Sequence, residues 1–424
     1  MSNLRGNMMN NTKYWILLFL VLLISFSILG FFGNEVYRQA PPIPERFVNS
    51  TGELLWSKDD IQEGQLIWQS IGGQQIGSIW GHGAYQAPDW SADWLHRELL
   101  HYLNFSSLKT FQKPFDQLTP DEKISLKARL PREYRTNTYQ SNTSTVVLST
   151  ERIHAIAETK NHYLGIFSDN PAFRQIREDY AIHENPLPDP VRREKMAAFF
   201  FWTSWAAATE RPGSKVTYTN NWPHEPLIEN RPSSSLFLWS ILSILFLLTG
   251  VGTLVYYHAF RKADLEPEKI PTEDPFMKVQ ATPSMQAVAK YCAVVIALFG
   301  VQVILGAITA HYSVEGQHFY GIPLAKYLPY SLTRTWHLQT ALFWIATSFL
   351  AAGLFLAPIV GGKEPRFQRL GVNILFGALI LVVAGSLTGE FLSIHQKLGL
   401  NISFWIGHQG YEYIDLGKVW QIGL

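Results

Sequence analysis

The chain has 424 residues, of which 47% are hydrophobic, 14% aromatic and only 16% charged, with a formal net charge of +1. So little charge, kept clear of long apolar runs, excludes an ordinary soluble domain, and the near-neutral balance gives no sign of a nucleic-acid partner. The single cysteine, Cys292, excludes an internal disulfide and any C-x-x-C-H haem attachment; its apolar surroundings predict a small buried hydrophobe.

Five uncharged runs reach the length of a membrane helix: residues 14–34, 232–257, 291–314, 335–362 and 370–389. The first is followed by Gly33-Asn34-Glu35-Val36, which is no small-residue cleavage site, so it reads as an uncleaved anchor. Arg5 and Lys13 precede it; Arg261, Lys262, Lys269, Lys278 and Lys290 crowd the second link, and Lys363, Arg366 and Arg369 the link after the fourth run. The opposite links carry fewer cations, so the amino terminus is expected in the cytoplasm and residues 35–231 outside. The chain then divides into a tail and anchor (1–34), an external domain (35–231) and a membrane domain (232–424).

In the external domain, Asp59-Asp60 can cap a helix that carries Ile61, Leu66, Ile67 and Trp68 and ends at Gly72-Gly73. Ser91 can cap a second helix, with Trp94, Leu95, Leu99 and Leu103 on one face. Residues 137–150 are polar and β-branched, a strand or loop, and residues 192–209 form a helix with a strongly aromatic side. The stretch from Gly64 through Trp68 to Gly81-His82-Gly83-Ala84-Tyr85-Gln86-Ala87-Pro88-Asp89 has the rhythm of a small cytochrome c domain. It has no cysteines; residues 69–73 and 74–78 stand where the attachment motif would be, and tryptophans are expected to fill the interior.

Three stretches of the membrane domain can carry chemistry. In His311-Tyr312-Ser313-Val314-Glu315-Gly316-Gln317-His318-Phe319, His311, Glu315 and Phe319 recur every four residues and share a face if the helix continues. A histidine and a carboxylate beside an aromatic wall at the outer membrane edge suit quinol oxidation with outward proton release; an ordinary interfacial cluster is the alternative. His337, in Thr333-Arg334-Thr335-Trp336-His337-Leu338-Gln339, lies about a turn inside an uncharged run, where an imidazole needs a hydrogen-bond partner, a charge or a metal. Ligation of a haem iron is one reading, with Arg334 on the same face able to meet a propionate. An inert histidine bonded to a neighbouring helix is the other. In residues 407–417, Glu412 and Asp415 lie three apart on the opening turn of a helix, as a dipole-capping pair or as ligands of a hard cation such as calcium. His395 and His408 fall in an external link and are poor haem ligands.

Residues 81–89, 333–339 and 407–417, in this order, resemble signatures of the quinol-dependent nitric oxide reductases, a branch of the haem–copper oxidase superfamily. The resemblance spans essentially the whole chain. It implies a mainly α membrane protein: an anchor helix, an external cytochrome-c-like domain without haem, then the first helices of a haem–copper-oxidase-type bundle. It implies His337 as an axial ligand of a low-spin haem b, Arg334 at a propionate, and His311, Glu315 and Phe319 around the quinol. It implies calcium held by Glu412, Tyr85 and the Gly83 carbonyl. Two molecules of nitric oxide would be joined into nitrous oxide and water with two electrons from a membrane quinol and two protons. A high-spin haem b and a non-haem iron would complete the path, held by later helices. Because Leu424 falls about a third of the way through a sixth membrane helix, the chain is expected to be an amino-terminal part, inactive without its carboxy-terminal helices. The expected setting is the bilayer of a bacterial cytoplasmic membrane with residues 35–231 periplasmic, and a homodimer is left open. The rivals are a nitric oxide dismutase-like relative, against which the retained His311, Glu315 and Phe319 argue, and a non-catalytic membrane-anchored sensor or assembly module.

Overall fold

Apolar runs and tryptophan-rich segments fold by different rules here, and the computed structural model describes both through residues 2–262, 272–318, 321–410 and 414–424. Helix α1 (Ser2–Gln39) continues past its apolar run, and its apolar window is nowhere buried against other parts of the described chain. A helix apolar on all sides and packed on nothing is matched to lipid.

The external domain begins with strands β1 (Arg46–Asn49) and β2 (Leu54–Ser57), then helix α2 (Lys58–Ser70). The cap of α2 is Ser57, not the aspartate pair: its hydroxyl accepts from Asp60 N–H while the Asp60 carboxylate accepts from Ser57 N–H. The helix ends at Ile71 and the chain turns through Gly72 at φ +65°. A hairpin of β3 (Ser78–Ile79) and β4 (His82–Gly83) leads into α3 (Trp90–Phe111). Its cap is Asp89 rather than Ser91. One Asp89 oxygen accepts from Ser91 and Ala92 N–H, the other from the Ser78 hydroxyl at 2.7 Å and Gly81 N–H at 2.8 Å. A single carboxylate thus ties helix to hairpin, and the Ser91 hydroxyl adds a second tie by accepting from Trp80 N–H at 3.1 Å. Gly83 sits at φ +137°, and a Cβ there would meet the Gly77 carbonyl at 2.6 Å, so only glycine fits.

Short helices α4 (Pro120–Lys127) and α5 (Leu130–Arg135) follow, then β5 (Tyr139–Gln140) and β6 (Thr145–Leu148), the strand alternative for residues 137–150. The larger sheet runs β2-β1-β6-β5, with β1 and β6 parallel and both outer pairs antiparallel. Helices α6 (Thr150–Ile166), α7 (Arg174–Asp179) and α8 (Pro190–Ala208) complete the domain.

Aromatic rings fill the space between α2, α3, α6 and α8. Trp94 stacks on Tyr163 with centroids 5.0 Å apart, Trp90 on Phe200 at 5.6 Å, and Trp56 lies against Phe201 at 5.0 Å. Buried rings of this size each contribute on the order of 2 kcal/mol through desolvation, with a further increment from their geometry. Two charges share this interior. Arg152 meets Glu98 at 2.9 Å, Trp94 Nε1 donates to the same carboxylate at 2.8 Å, and the guanidinium lies 4.3 Å from the Tyr134 ring centre. Buried charge is tolerated there because it is paired and hydrogen-bonded.

The membrane domain contains α9 (Ser234–Lys262), α10 (Pro283–Ala287), α11 (Ala289–His311), α12 (Tyr330–Gly361) and α13 (Gln368–Ile394), then α14 (Leu400–Ile406) and α15 (Lys418–Gly423). With the anchor, five spans among the described residues are long and apolar enough to cross a membrane. The apolar window of α9, like that of α1, is nowhere buried, whereas α11, α12 and α13 pack on one another. Cys292 lies exposed on α11 rather than buried, because α11 offers a continuous apolar face to lipid.

His162, on α6, has its Nε2 buried without a partner beside Tyr163 and Phe173. Burial, aided by the nearby Arg97 charge, pulls its pKa from 6.5 down to about 4. The folded state therefore binds fewer protons than the unfolded state in this window. This contribution is intact above pH 6.5 and is lost as pH falls through 4. Replacing His162 with Phe is expected to flatten the acid side of the stability–pH curve of the external domain, as followed by tryptophan fluorescence.

Candidate functional site

His337 lies on α12 where that helix crosses α11. Its Nδ1 is 2.8 Å from the Gln302 carbonyl, which fixes a proton on Nδ1 and leaves the Nε2 lone pair available. Gly306, one turn along α11, makes room for the ring: a Cβ there would come 2.7 Å from His337 Cε1. The imidazole is thus hydrogen-bonded to a neighbouring helix, as the inert reading requires. The same bond is the kind that orients a metal-binding histidine, so the geometry is compatible with both.

Around the outer end of α12 is a group of buried polar side chains. The Arg334 guanidinium donates to the Gln75 carbonyl oxygen of the external domain, and Gln75 Nε2 lies 3.5 Å from Asp415. Asp415 is wholly buried; it accepts from Gln409 N–H at 3.0 Å and Gly410 N–H at 2.6 Å, and meets His408 Nδ1 at 2.7 Å. Gln339, one turn below Arg334, donates to the Ile414 carbonyl at 2.9 Å and to the Glu390 carboxylate on α13. Among the described residues, several atoms here have no partner: Gln339 Oε1, Glu390 Oε2, His408 Nε2, both amide atoms of Gln409 and Trp336 Nε1. Buried polar atoms are rarely left unpaired, so such a cluster near one imidazole fits a polar group or waters seated among them. A haem edge with propionates has that chemistry, and on this ground the residues fit the cofactor.

The third cluster is the link after α11. Helix α11 stops at His311, and the i,i+4 turn persists just far enough for His311 Nδ1 to meet the Glu315 carboxylate. Gly316, at φ +76°, follows that turn; of the face that sequence periodicity predicts, His311 and Glu315 are brought together. Phe319 lies outside the described residues, as does Glu412. Of the other two expected calcium ligands, Gly83 is buried and Tyr85 is exposed with its hydroxyl donating to the Gly81 carbonyl. Among the described residues, no three or more His, Cys, Asp or Glu side chains gather as a metal site.

Asp415 is not on an opening helical turn, the place its spacing predicts. It sits instead at φ +48° ahead of α15 and caps the 408–410 turn, because two backbone N–H groups and an imidazole there need one acceptor. His408, remote by its position in a link, is its buried partner. Glu390, just beyond an apolar run, lies inside α13. A glutamine two residues after His337 in an otherwise uncharged run is the available signal for this network.

Two family models match the chain. Residues 44–224 match the NorB cytochrome c-like domain of the nitric oxide reductases, and residues 286–424 match cytochrome c and quinol oxidase polypeptide I. No curated protein matches significantly.

Asp415→Ala is expected to strand two buried N–H groups and an imidazole, costing about 3 kcal/mol or more. Asp415→Asn keeps a carbonyl acceptor and should cost clearly less. Apparent unfolding temperatures of the two variants in detergent, taken side by side, measure the difference.

Proposed function

We propose that this chain, which belongs to the NorB-type nitric oxide reductases of the haem–copper oxidase superfamily, carries the quinol-oxidising part and one haem ligand of an enzyme reducing nitric oxide to nitrous oxide. Membership brings haem cofactors and a multi-pass membrane setting. The choice of quinol as donor, the low-spin haem b and the placement of residues 35–231 in the periplasm of a bacterial cytoplasmic membrane are parts of the proposal.

The observation that carries the reading is convergence at one end of the bundle. His337 touches α11 at Gly306, and His311 closes the same helix five residues later, an axial rise of about 7.5 Å. The proton-accepting pair and the imidazole therefore share one outer edge, beneath the external domain. A quinol hydroxyl presented to this edge loses its proton to the His311–Glu315 pair. The carboxylate holds one ring nitrogen so that the other faces the substrate, and stabilises the imidazolium that results. Both side chains remain partly open to water, so the proton leaves on the outer side.

His337 would hold a haem iron through Nε2, with its tautomer set by the Gln302 carbonyl and its ring position by Gly306. Arg334 keeps a fixed positive charge at the outer end of α12, where it suits a propionate and is held meanwhile by Gln75. The haem iron, when bound, supplies reversible one-electron chemistry. The absence of a C-x-x-C-H motif leaves the external domain without covalent haem, which favours a lipid-soluble donor over a haem c relay. The described residues give calcium no ligand set of their own, and no step depends on it.

The protein purified from iron-replete cells is expected to show a b-type haem spectrum with no c-type component. His337→Ala should lose the low-spin part of that spectrum, and Gly306→Val should weaken it by displacing the ring. A colourless wild-type preparation would falsify the assignment.

A further inference from the structure

Resting on the reading of His311 and Glu315 as the quinol-proton acceptors, we propose that the external domain is a working part of the quinol site. Gln317 and Glu178 act as positioning residues that lock the loop carrying those acceptors. Neither residue touches the substrate in this scheme; they act through the loop.

Gln317 follows Glu315 by two residues and is 7% exposed, which is unusual for a polar residue in an extramembrane link. Its side-chain Nε2 donates to two carbonyls of the external domain, Ile182 at 2.6 Å and Arg177 at 3.1 Å. Its backbone N–H donates to the Glu178 carboxylate at 3.1 Å. Gly316 completes the fit: with φ +76° it lets the loop fold onto Glu178, and a Cβ there would come 3.0 Å from the carboxylate oxygen.

The platform on the domain side is itself rigid. The buried Arg177 donates to the Asn170 carbonyl at 3.0 Å and the Gly165 carbonyl at 3.4 Å, fastening α7 to the end of α6. The loop is also closed on its far side, where the Tyr312 hydroxyl donates to the Leu328 carbonyl, and Ser313 reaches Gln86 at 3.1 Å. Glu315 lines a cavity of about 510 Å³ whose opposite wall is Arg174, Gln175 and Glu178 of the external domain. The carboxylate that holds the proton-accepting imidazole is therefore oriented between a membrane helix and the α7 platform. Misplacement of a catalytic pair by a fraction of an ångström is costly, which gives such a lock a functional value.

Steady-state turnover of the membrane-embedded holoenzyme tests this by two electron routes, a soluble ring-substituted quinol and a chemical reductant with a mediator that bypasses the quinol. Gln317→Met removes both amide bonds at similar length. It is expected to lower quinol-driven kcat/KM by about tenfold while mediator-driven nitric oxide reduction and the haem spectrum stay unchanged. Glu178→Ala should behave similarly, and Glu178→Gln, whose carbonyl still accepts from the loop N–H, should restore the quinol route to within about twofold. If both routes fall together in Gln317→Met and Glu178→Ala, the two residues are merely structural and the proposal is wrong. If both variants keep wild-type quinol turnover while His311→Ala loses it, the lock is refuted and the quinol site stands. If His311→Ala and Glu315→Gln leave quinol turnover intact, the site assignment itself fails and takes the lock with it.

Discussion

The seam between the external domain and the membrane bundle depends on one buried acceptor, the Asp415 carboxylate. Wholly buried, it is the acceptor for the polar groups turned directly toward it. It plays that part for the 408–410 turn and for His408, and through Gln75 it reaches the external domain and Arg334. Around it the two halves bind reciprocally: Ser393 on α13 donates to the Ser70 carbonyl at 2.8 Å, and Arg192 on α8 to Gln396 at 2.7 Å. These bonds fix the domain at the end of the bundle where Arg334 of α12, the helix of His337, meets Gln75.

Such a seam accounts for what the external domain keeps and what it has dispensed with. Without a covalent haem, its interior volume is occupied by stacked rings and by the Arg152–Glu98 pair. Packing of that density transmits displacement rather than absorbing it. The hairpin at residues 78–83, tied to α3 by Asp89, and the platform of α7 are therefore held in register with one another, and each faces a different stretch of the membrane domain.

The sequence is most legible where a single physical rule acts alone. Uncharged runs of membrane length form helices at each of the five places, because in lipid no other element satisfies the backbone. The aromatic helix read over 192–209 forms as α8, since its rings can only be buried. The caps of α2 and α3 fall about two residues from their expected places, because which of several neighbouring Ser and Asp side chains serves depends on partners elsewhere in the chain, as Ser78 and Gly81 are for Asp89. The periodicity through His311, Glu315 and Phe319 reads as one face; α11 itself stops at His311, one further turn pairs it with Glu315, and Gly316 then folds against Glu178, more than a hundred residues away. His408, Asp415, Gln339 and Glu390 are individually ordinary, and only their burial together gives them meaning.

That last pattern bears on how the external domain and the membrane chemistry are linked. The domain grips the membrane part at two separate points, the Gln75–Arg334–Asp415 seam over α12 and the Glu178–Gln317 lock beyond α11. Ile71 and Ile76 beside the first point and Ile182 beside the second belong to one buried cluster, so a shift at one point is carried to the other. The His311–Glu315 pair and the outer end of the His337 helix therefore share a common reference frame, though they sit on different helices joined by a long link. Under the proposed function, a relay between a proton-accepting pair and a redox centre needs constant separation more than it needs any particular intervening residue. A rigid cap across both helices supplies that constancy, a role that requires no C-x-x-C-H haem attachment in the domain.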